Sequence, residues 1–368
     1  MPRAIAPDPA DTPRLDPERR RGRGARSNRS GRYEAAAVEA FDDGWSSLDE
    51  LPPFKTEVRS EPARTIITTN DSPDISFDQS INPYRGCEHG CIYCYARPTH
   101  CYLGHSAGLD FETMLYAKPN AAALLERELA QRGYVAKTIA LGTNTDPYQP
   151  IERQHRITRA ILEVLERARH PVAIVTKSAL VTRDIDILAR MAADGLAKVA
   201  LSVTTLDARL ARAMEPRATT PAKRIAAIRA LSEAGIPTAV MVAPIIPALN
   251  DSEIEAILTA AREAGARQAG YVTLRLPLEL KELFREWLEA ELPDRARRVV
   301  ALQQSMHGGK DYVAAFGLRQ RGSGPYAQQI AARFRLATRR LGLGEKRDAL
   351  RTDLFQPPQP AGAQLRLL

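Results

Sequence analysis

Long apolar runs are missing from this chain of 368 residues: none reaches the roughly 18 residues that a membrane-spanning helix needs. No secretory signal peptide opens it. Both absences lead us to expect a cytoplasmic protein in a reducing compartment, where structural disulfides are rare. A broad charge excess is missing too. The formal net charge is +8, yet residues 1–32 hold nine arginines against four acids, a local excess that leaves only three positive charges for everything else. A generally basic, nucleic-acid-binding body does not follow from that distribution. Cysteine is scarce, with four in the whole chain.

Three of those four, Cys87, Cys91 and Cys94, fall within eight residues, in a C-x3-C-x2-C spacing with Gly86 and Gly90 beside them. Thiolates this close can converge on one inorganic centre only if the backbone curls around it, and glycine permits the positive φ such a curl needs. A cage for iron and sulfide is the first expectation. Zinc is the competing metal, bound by the three cysteines with His89, His100 or Cys101, although structural zinc sites usually come as two separated ligand pairs. An electron carrier ligates a four-iron cluster with four cysteines, whereas this run supplies three, so one iron would lack a protein thiolate.

The spacing, with Tyr93 just before the last cysteine, resembles the signature of the radical S-adenosylmethionine (SAM) superfamily. The resemblance implies a [4Fe-4S] cluster held by Cys87, Cys91 and Cys94, whose open iron chelates SAM. One electron then breaks a carbon–sulfur bond of SAM to give a 5′-deoxyadenosyl radical. It also implies a one-electron donor of the ferredoxin or flavodoxin type.

Residues 1–60 are rich in Arg, Pro, Asp and Ser without a sustained apolar period, so we expect a disordered tail. Its Arg-Gly-Arg-Gly-Ala-Arg run (21–26) could touch phosphates, but a solvated leader is the plainer reading. Residues 64–70 have the β-branched content of a strand. From Pro119 onward, amphipathic stretches at 120–132, 153–169, 183–194, 220–235 and 252–264 alternate with short apolar runs at 138–141, 172–175, 198–203, 238–243 and 271–276. Thr182 reads as a helix cap, Thr220-Pro221 as a helix start and Ser252-x-x-Glu255 as a capping box. With the strand that leads into the cysteine loop, six parallel strands result. The superfamily resemblance makes this a partial (β/α)6 TIM-type barrel over residues 61–290, although the periodicity alone leaves a doubly wound sheet open. A helical, glycine-rich extension (291–350) and a flexible tail (351–368) complete the expected organisation.

In parallel β/α folds, chemistry collects at the carboxyl ends of the strands. Just past the apolar runs stand residues 142–150 (Gly-Thr-Asn-Thr-Asp-Pro-Tyr-Gln-Pro), Thr176-Lys177-Ser178, Ser202 with Thr204 and Thr205, Ala243-Pro244, and Arg275. Against SAM, Lys177 can offset the carboxylate, Ser202 and Thr204 can bond ribose hydroxyls, Asn144 or Asp146 can accept polar hydrogens, and Tyr93 can lie against adenine. Ala243 completes this expected cofactor set.

Cys-x3-Cys-x2-Cys-Tyr, Thr-Lys-Ser after the third strand, Leu-Ser-Val-Thr-Thr at the fourth, and Glu215-Pro216-Arg217 resemble the spore photoproduct lyase-like (DNA repair photolyase-like) branch over residues 77–280. That likeness implies SAM contacts at Lys177 and Ser202 and matches Tyr93 and Tyr95 to the tyrosines flanking the last cluster cysteine. It implies a lyase-like enzyme whose radical-generating machinery acts on an unidentified substrate. A nucleic-acid base is the family-derived candidate, and the thymine-dimer reaction itself is not carried across. One departure stands out: the lyase returns a hydrogen atom from a cysteine at the end of its second strand, and this chain has Gly142-Thr143 there. Its spare thiol, Cys101, and Asp146 are weak catalytic candidates, with Cys101 better explained as an incidental reduced thiol. Substrate recognition is expected from residues 142–150 and from the glycine-rich segments at 307–310 and 319–326. Two rival readings are a non-enzymatic iron-sulfur or zinc module and a nucleic-acid-binding protein led by its arginine-rich tail.

Overall fold

The computed structural model describes residues 15–34, 53–344 and 349–358. Ten strands occur in chain order: β1 (Glu57–Ser60), β2 (Thr68–Thr69), β3 (Gln79–Ile81), β4 (Tyr84–Arg85), β5 (Met114–Ala117), β6 (Ile139–Leu141), β7 (Val172–Thr176), β8 (Ala197–Ser202), β9 (Thr238–Ile245) and β10 (Gln268–Thr273). One sheet has the order β10-β9-β8-β7-β6-β3-β2, and a smaller one has the order β1-β5-β4. From β3 to β10 every pairing in the large sheet is parallel; β2 is antiparallel at the edge. Its six parallel strands follow chain order throughout, so the reversal that marks a doubly wound sheet does not occur.

Composition explains the layering. Strand β7, Val-Ala-Ile-Val-Thr, alternates buried with half-buried positions, so its two faces meet different surroundings. The helix Ile157–Arg167 turns Ile157, Ile161, Leu162, Val164 and Leu165 inward, a 3.6-residue period that buries one stripe against the sheet. Helices Ala121–Leu129, Ile185–Ala193, Pro221–Glu233 and Ile254–Glu263 occupy the other crossovers. Among the described residues no helix is long and apolar enough to cross a membrane.

Several local expectations change. The strand expected at 64–70 shrinks to β2, because the amides of Ile66 and Ile67 donate to the Glu128 carboxylate (2.6 and 2.9 Å) instead of to a ladder. Strand β10 begins three residues earlier than its apolar run suggests. The Ser252 capping box is not formed: a 3-10 turn, Asp251–Glu253, precedes the helix, and Glu255 pairs with Arg333. Ser178, not Thr182, caps the turn at 179–184. Helices Leu280–Glu291 and Pro293–Ser305 begin the extension earlier than residue 291.

The expected disorder also needs correction. Residues 1–14 and 35–52 lie outside the described residues, as do 359–368. Residues 15–34, however, run against the body, and Arg26, Arg29 and Arg32 pair with Glu291, Glu286 and Glu279 along one helix and its start. Their arginines find carboxylates within the chain, which an apolar-period argument cannot foresee. At the other end Phe355 packs on the rings of Tyr134 and His170, with centroids 5.4 and 5.3 Å away, and the Gln356 amide donates to Ala168. The stretch 351–358 is therefore docked against the body.

Candidate active site at the cysteine loop

Strand β4 pairs with β5 and delivers the chain into the cysteine loop. Gly86 (φ 71°) and Gly90 (φ 68°) supply the left-handed turns that let residues 86–94 curl back on themselves. Neither site has room for a side chain: a Cβ on Gly86 would meet Leu115 at 2.6 Å, and one on Gly90 would meet Glu112 at 2.7 Å. Cys87 and Cys91 are buried and Cys94 is half-buried, all as free thiols.

A buried ion pair holds this curl. Arg97, fully buried, donates to the carbonyls of Gly90 (3.2 Å), Cys91 (3.0 Å), Ala107 (3.2 Å) and Gly108 (2.8 Å) and pairs with Glu112, itself fully buried. Glu112 also receives the amides of Gly24 (2.9 Å) and Ala25 (2.8 Å). The N-terminal segment thus crosses the back of the loop so tightly that a Cβ on Gly24 would lie 1.9 Å from the Gly90 carbonyl oxygen. From the other side, Gln149 clasps both ends of the first turn: its amide donates to Gly86 O (3.2 Å) and its carbonyl accepts from the Glu88 amide (2.9 Å). Sequence reasoning missed Arg97 and Glu112, whose pairing no local motif marks, and it placed Gln149 among the strand-end residues without its partners, which lie more than 60 residues away.

Electrostatics bear on what this loop can hold. Burial pushes the Cys87 thiol well above its ordinary range, with nearby Asp146, Cys91 and Cys94 adding to the effect; burial also raises Cys91, against the pull of Lys177. A thiolate here therefore needs a compensating cation, as a metal centre provides. This soft, anionic donor set fits iron and sulfide. His89 is driven down to about 4 by burial, against the opposing charge of Asp146, so it is neutral near pH 7.

The residues singled out from the sequence fall into two groups. Tyr93, Thr204, Lys177 and Cys91 come together: Lys177 Nζ lies 5.6 Å from the centre of the Tyr93 ring, and the Tyr93 hydroxyl meets Thr204 Oγ1 at 3.1 Å and also bonds Glu215. Thr204 Oγ1 donates to Glu215 (2.6 Å) and approaches the Ala243 carbonyl (3.2 Å). Glu215 is buried and its pKa is raised by burial despite its ion pair with Arg224, whose guanidinium also donates to Ser202 O (3.0 Å). The hub of Glu215 and Arg224 was not foreseen beyond the motif that contains Glu215. Ser202 ends β8 at the same level. Tyr95 reaches to the Thr143 carbonyl and carries Arg275 over its ring at 4.4 Å.

The second group is occupied with structural work. Asp146 receives the Thr176 hydroxyl (2.6 Å) and the amides of Tyr148 (2.9 Å) and Lys177 (2.8 Å), with His89 at 3.5 Å, so it braces β7 against the cysteine loop. Asn144 donates its amide to Asn82 (3.1 Å). Residues 142–150 thus support the loop as well as lining the strand ends. Cys101 is fully buried on a separate 3-10 turn, Arg97–Leu103, beneath Gly31, whose Cβ would meet its sulfur at 3.1 Å. In the glycine-rich segments, His307 is buried and Arg319 pairs with Asp74 at 2.5 Å.

Comparison with known proteins agrees with this geometry. Residues 81–261 match the Radical SAM superfamily model. An uncharacterised protein of Mycobacterium tuberculosis is 38% identical over 226 residues, which are 61% of this chain and 66% of that relative. One from Methanocaldococcus jannaschii is 31% identical over 173 residues, 47% of this chain and 62% of its own. The chain thus spans just under two thirds of these relatives. Among solved structures, a mutant of spore photoproduct lyase superposes with a TM-score of 0.56 at 16% identity, covering 85% of this chain and 87% of that one. Spore photoproduct lyase complexed with dinucleoside spore photoproduct gives 0.55 at 16% identity, covering 78% and 80%. At that identity the likeness speaks for the fold alone. Residues 81–261, which carry the curled cysteine loop and most of the sequential parallel sheet, are what this chain shares with the Radical SAM superfamily.

Proposed function

We propose that this protein is a cytoplasmic radical SAM enzyme in which Cys87, Cys91 and Cys94 hold a [4Fe-4S] cluster with one iron left for SAM. The observation that carries the reading is the curled loop that brings Cys87, Cys91 and Cys94 together as free thiols, held by Arg97 and Gln149, with Lys177 and Tyr93 next to it. Bound there, the cluster would supply the electron that cleaves a carbon–sulfur bond of SAM to a 5′-deoxyadenosyl radical.

The chain's own groups supply the setting. Lys177 offers a positive charge to the carboxylate of SAM, and Ser202 offers a hydroxyl to its ribose. Thr204 and Ala243 are tied to each other and to Tyr93, so they fix that wall as much as they contact a ligand. Tyr95, Asn144 and Asp146 complete the rim.

For the substrate we propose a nucleic-acid base, as the lyase-like branch suggests. Arg275, whose Nε is buried without a protein partner, stacks on the 40%-exposed Tyr95, an arrangement suited to an anionic ligand with a flat ring. We also read the large sheet as a partial (β/α)6 barrel. Asp74, near the β3 edge, accepts from Gly317 (2.7 Å) and pairs with Arg319, while the Thr273 amide of β10 donates to Gln320 (2.9 Å), so contacts link the two sheet edges.

Anaerobic reconstitution tests the cluster directly. The protein should take up about four irons and four sulfides per chain, and adding SAM should change the electron paramagnetic resonance signal of the reduced form. Cys87→Ala, Cys91→Ala and Cys94→Ala should each lose that uptake; retention of full iron by the triple variant would refute the assignment.

A further inference from the structure

Most arginines described above are neutralised within the chain. Arg26, Arg29 and Arg32 meet acids on one helix and its start, and Arg159, Arg167, Arg190 and Arg333 meet acids on neighbouring elements. Beside the Glu88-His89 turn, between Cys87 and Cys91, that pattern stops. Two clefts open there, of about 370 and 460 Å3. Arg21, Arg23, Lys55 and Glu88 line the first; His89, Arg153 and Lys223 line the second; Arg217 belongs to both. Arg21, Lys55, Arg153 and Lys223 are exposed and make no ion pair among the described residues. Glu88, the one carboxylate in either lining, is engaged by Arg217 (2.9 Å) and Thr56 (2.5 Å). This face carries positive charge that nothing in the described structure offsets.

We propose that this double cleft is the docking surface of an acidic one-electron carrier protein. The inference rests on the enzymatic reading, because that chemistry consumes an electron the chain cannot generate. Position favours it: the cleft walls include Glu88 and His89, which directly follow Cys87 in the cysteine loop. Tyr93, Tyr95, Lys177, Ser202 and Thr204 line neither cleft, so a carrier seated there leaves the side chains proposed to hold SAM uncovered. A nucleic acid fits less well. Among the described residues the exposed aromatic rings, Tyr33, Tyr95, Tyr102 and Phe316, all lie outside the clefts, and Tyr148 in the second is fully buried. Phe54, inside the first, already has the Arg19 guanidinium over its face at 4.4 Å. Stacking platforms for bases are therefore wanting. In the transfer one electron leaves the carrier and one arrives at the iron-sulfur group; no bond forms or breaks and no proton moves. Rim charges of this kind act chiefly on association rate and on its salt dependence.

The test uses cluster-loaded, full-length protein with a purified acidic flavodoxin as the probe. Stopped-flow reduction by flavodoxin hydroquinone should slow about tenfold or more as salt rises from about 50 to about 300 mM. Combining Arg21→Glu, Lys55→Glu, Arg153→Glu and Lys223→Glu should slow it by at least about tenfold at low salt, and should weaken calorimetric binding of oxidised flavodoxin by about as much. Reduction of the same variant by dithionite should be unchanged. Equal flavodoxin rates and affinities in wild type and variant would overturn the proposal. So would a variant that keeps those rates but loses affinity for an oligonucleotide. Failure of dithionite-reduced wild type to cleave SAM would count against the enzymatic reading instead, while the binding titration still decides docking.

Discussion

Glu112 illustrates how one side chain can govern the candidate site from outside it. Its buried carboxylate joins the N-terminal segment, through the amides of Gly24 and Ala25, to Arg97 and hence to the carbonyls of Gly90 and Cys91. Removing one partner of such a pair leaves an uncompensated buried charge, which costs about 3–5 kcal/mol. Arg97→Met should therefore lower the urea midpoint sharply and reduce iron retention after desalting; a variant that unfolds like wild type and keeps its iron would show the pair to be dispensable. Histidine makes a second prediction. Burial drives His100 and His170 down to about 4 from the ordinary 6.5. With the folded value below the unfolded one, the unfolded chain takes up protons first as pH falls. Stability should be flat above about pH 6.5 and fall towards pH 4, by up to about 1.4 kcal/mol per pH unit for each histidine. Urea unfolding across that range should show the slope, and His170→Phe should reduce it by the share of one histidine, with His89 and His100 keeping the rest.

Among the elements, the segment 15–34 is the least foreseeable. Its arginines look like a solvated leader because no apolar period marks them, and their partners, Glu279, Glu286 and Glu291, are more than 240 residues away. The cysteine loop, by contrast, was legible because spacing, glycines and Tyr93 are all local. The same division runs through the sheet. Strands β7, β8 and β9 announce themselves by apolar runs, whereas β3, Gln-Ser-Ile, is too short and polar to do so. Lys177 and Ser202 were legible as strand-end residues; Asp146 was also legible, but its engagement by Thr176 and two backbone amides was not. Gly24→Ala tests the segment's role, since the new methyl would press on the Gly90 carbonyl. It should cost about 1–3 kcal/mol and speed hydrogen exchange at residues 23–26 and 86–94. Unaltered exchange at the cysteine loop would mean that the segment merely covers it.

At the scale of the whole molecule, six parallel strands in chain order bring Lys177, Ser202, Thr204 and Ala243 to one end of the sheet, where the cysteine loop also lies. Carboxyl strand ends provide a rigid base with variable loops, and here those loops divide their work between bracing the cysteines and facing a ligand. Helices Leu280–Glu291 and Pro293–Ser305 pack behind the loop through Phe284, Trp287 and Leu288, and the acidic side of the first receives the N-terminal arginines. The segment 15–34, the helices after β10 and the cysteine loop thus meet at one place. The most direct measurement of what that place does is the 5′-deoxyadenosine formed when anaerobically reconstituted protein is mixed with SAM and dithionite. The account predicts that the nucleoside accumulates with wild type and disappears with Cys91→Ala; a wild type with a full complement of iron and sulfide that forms none would contradict it.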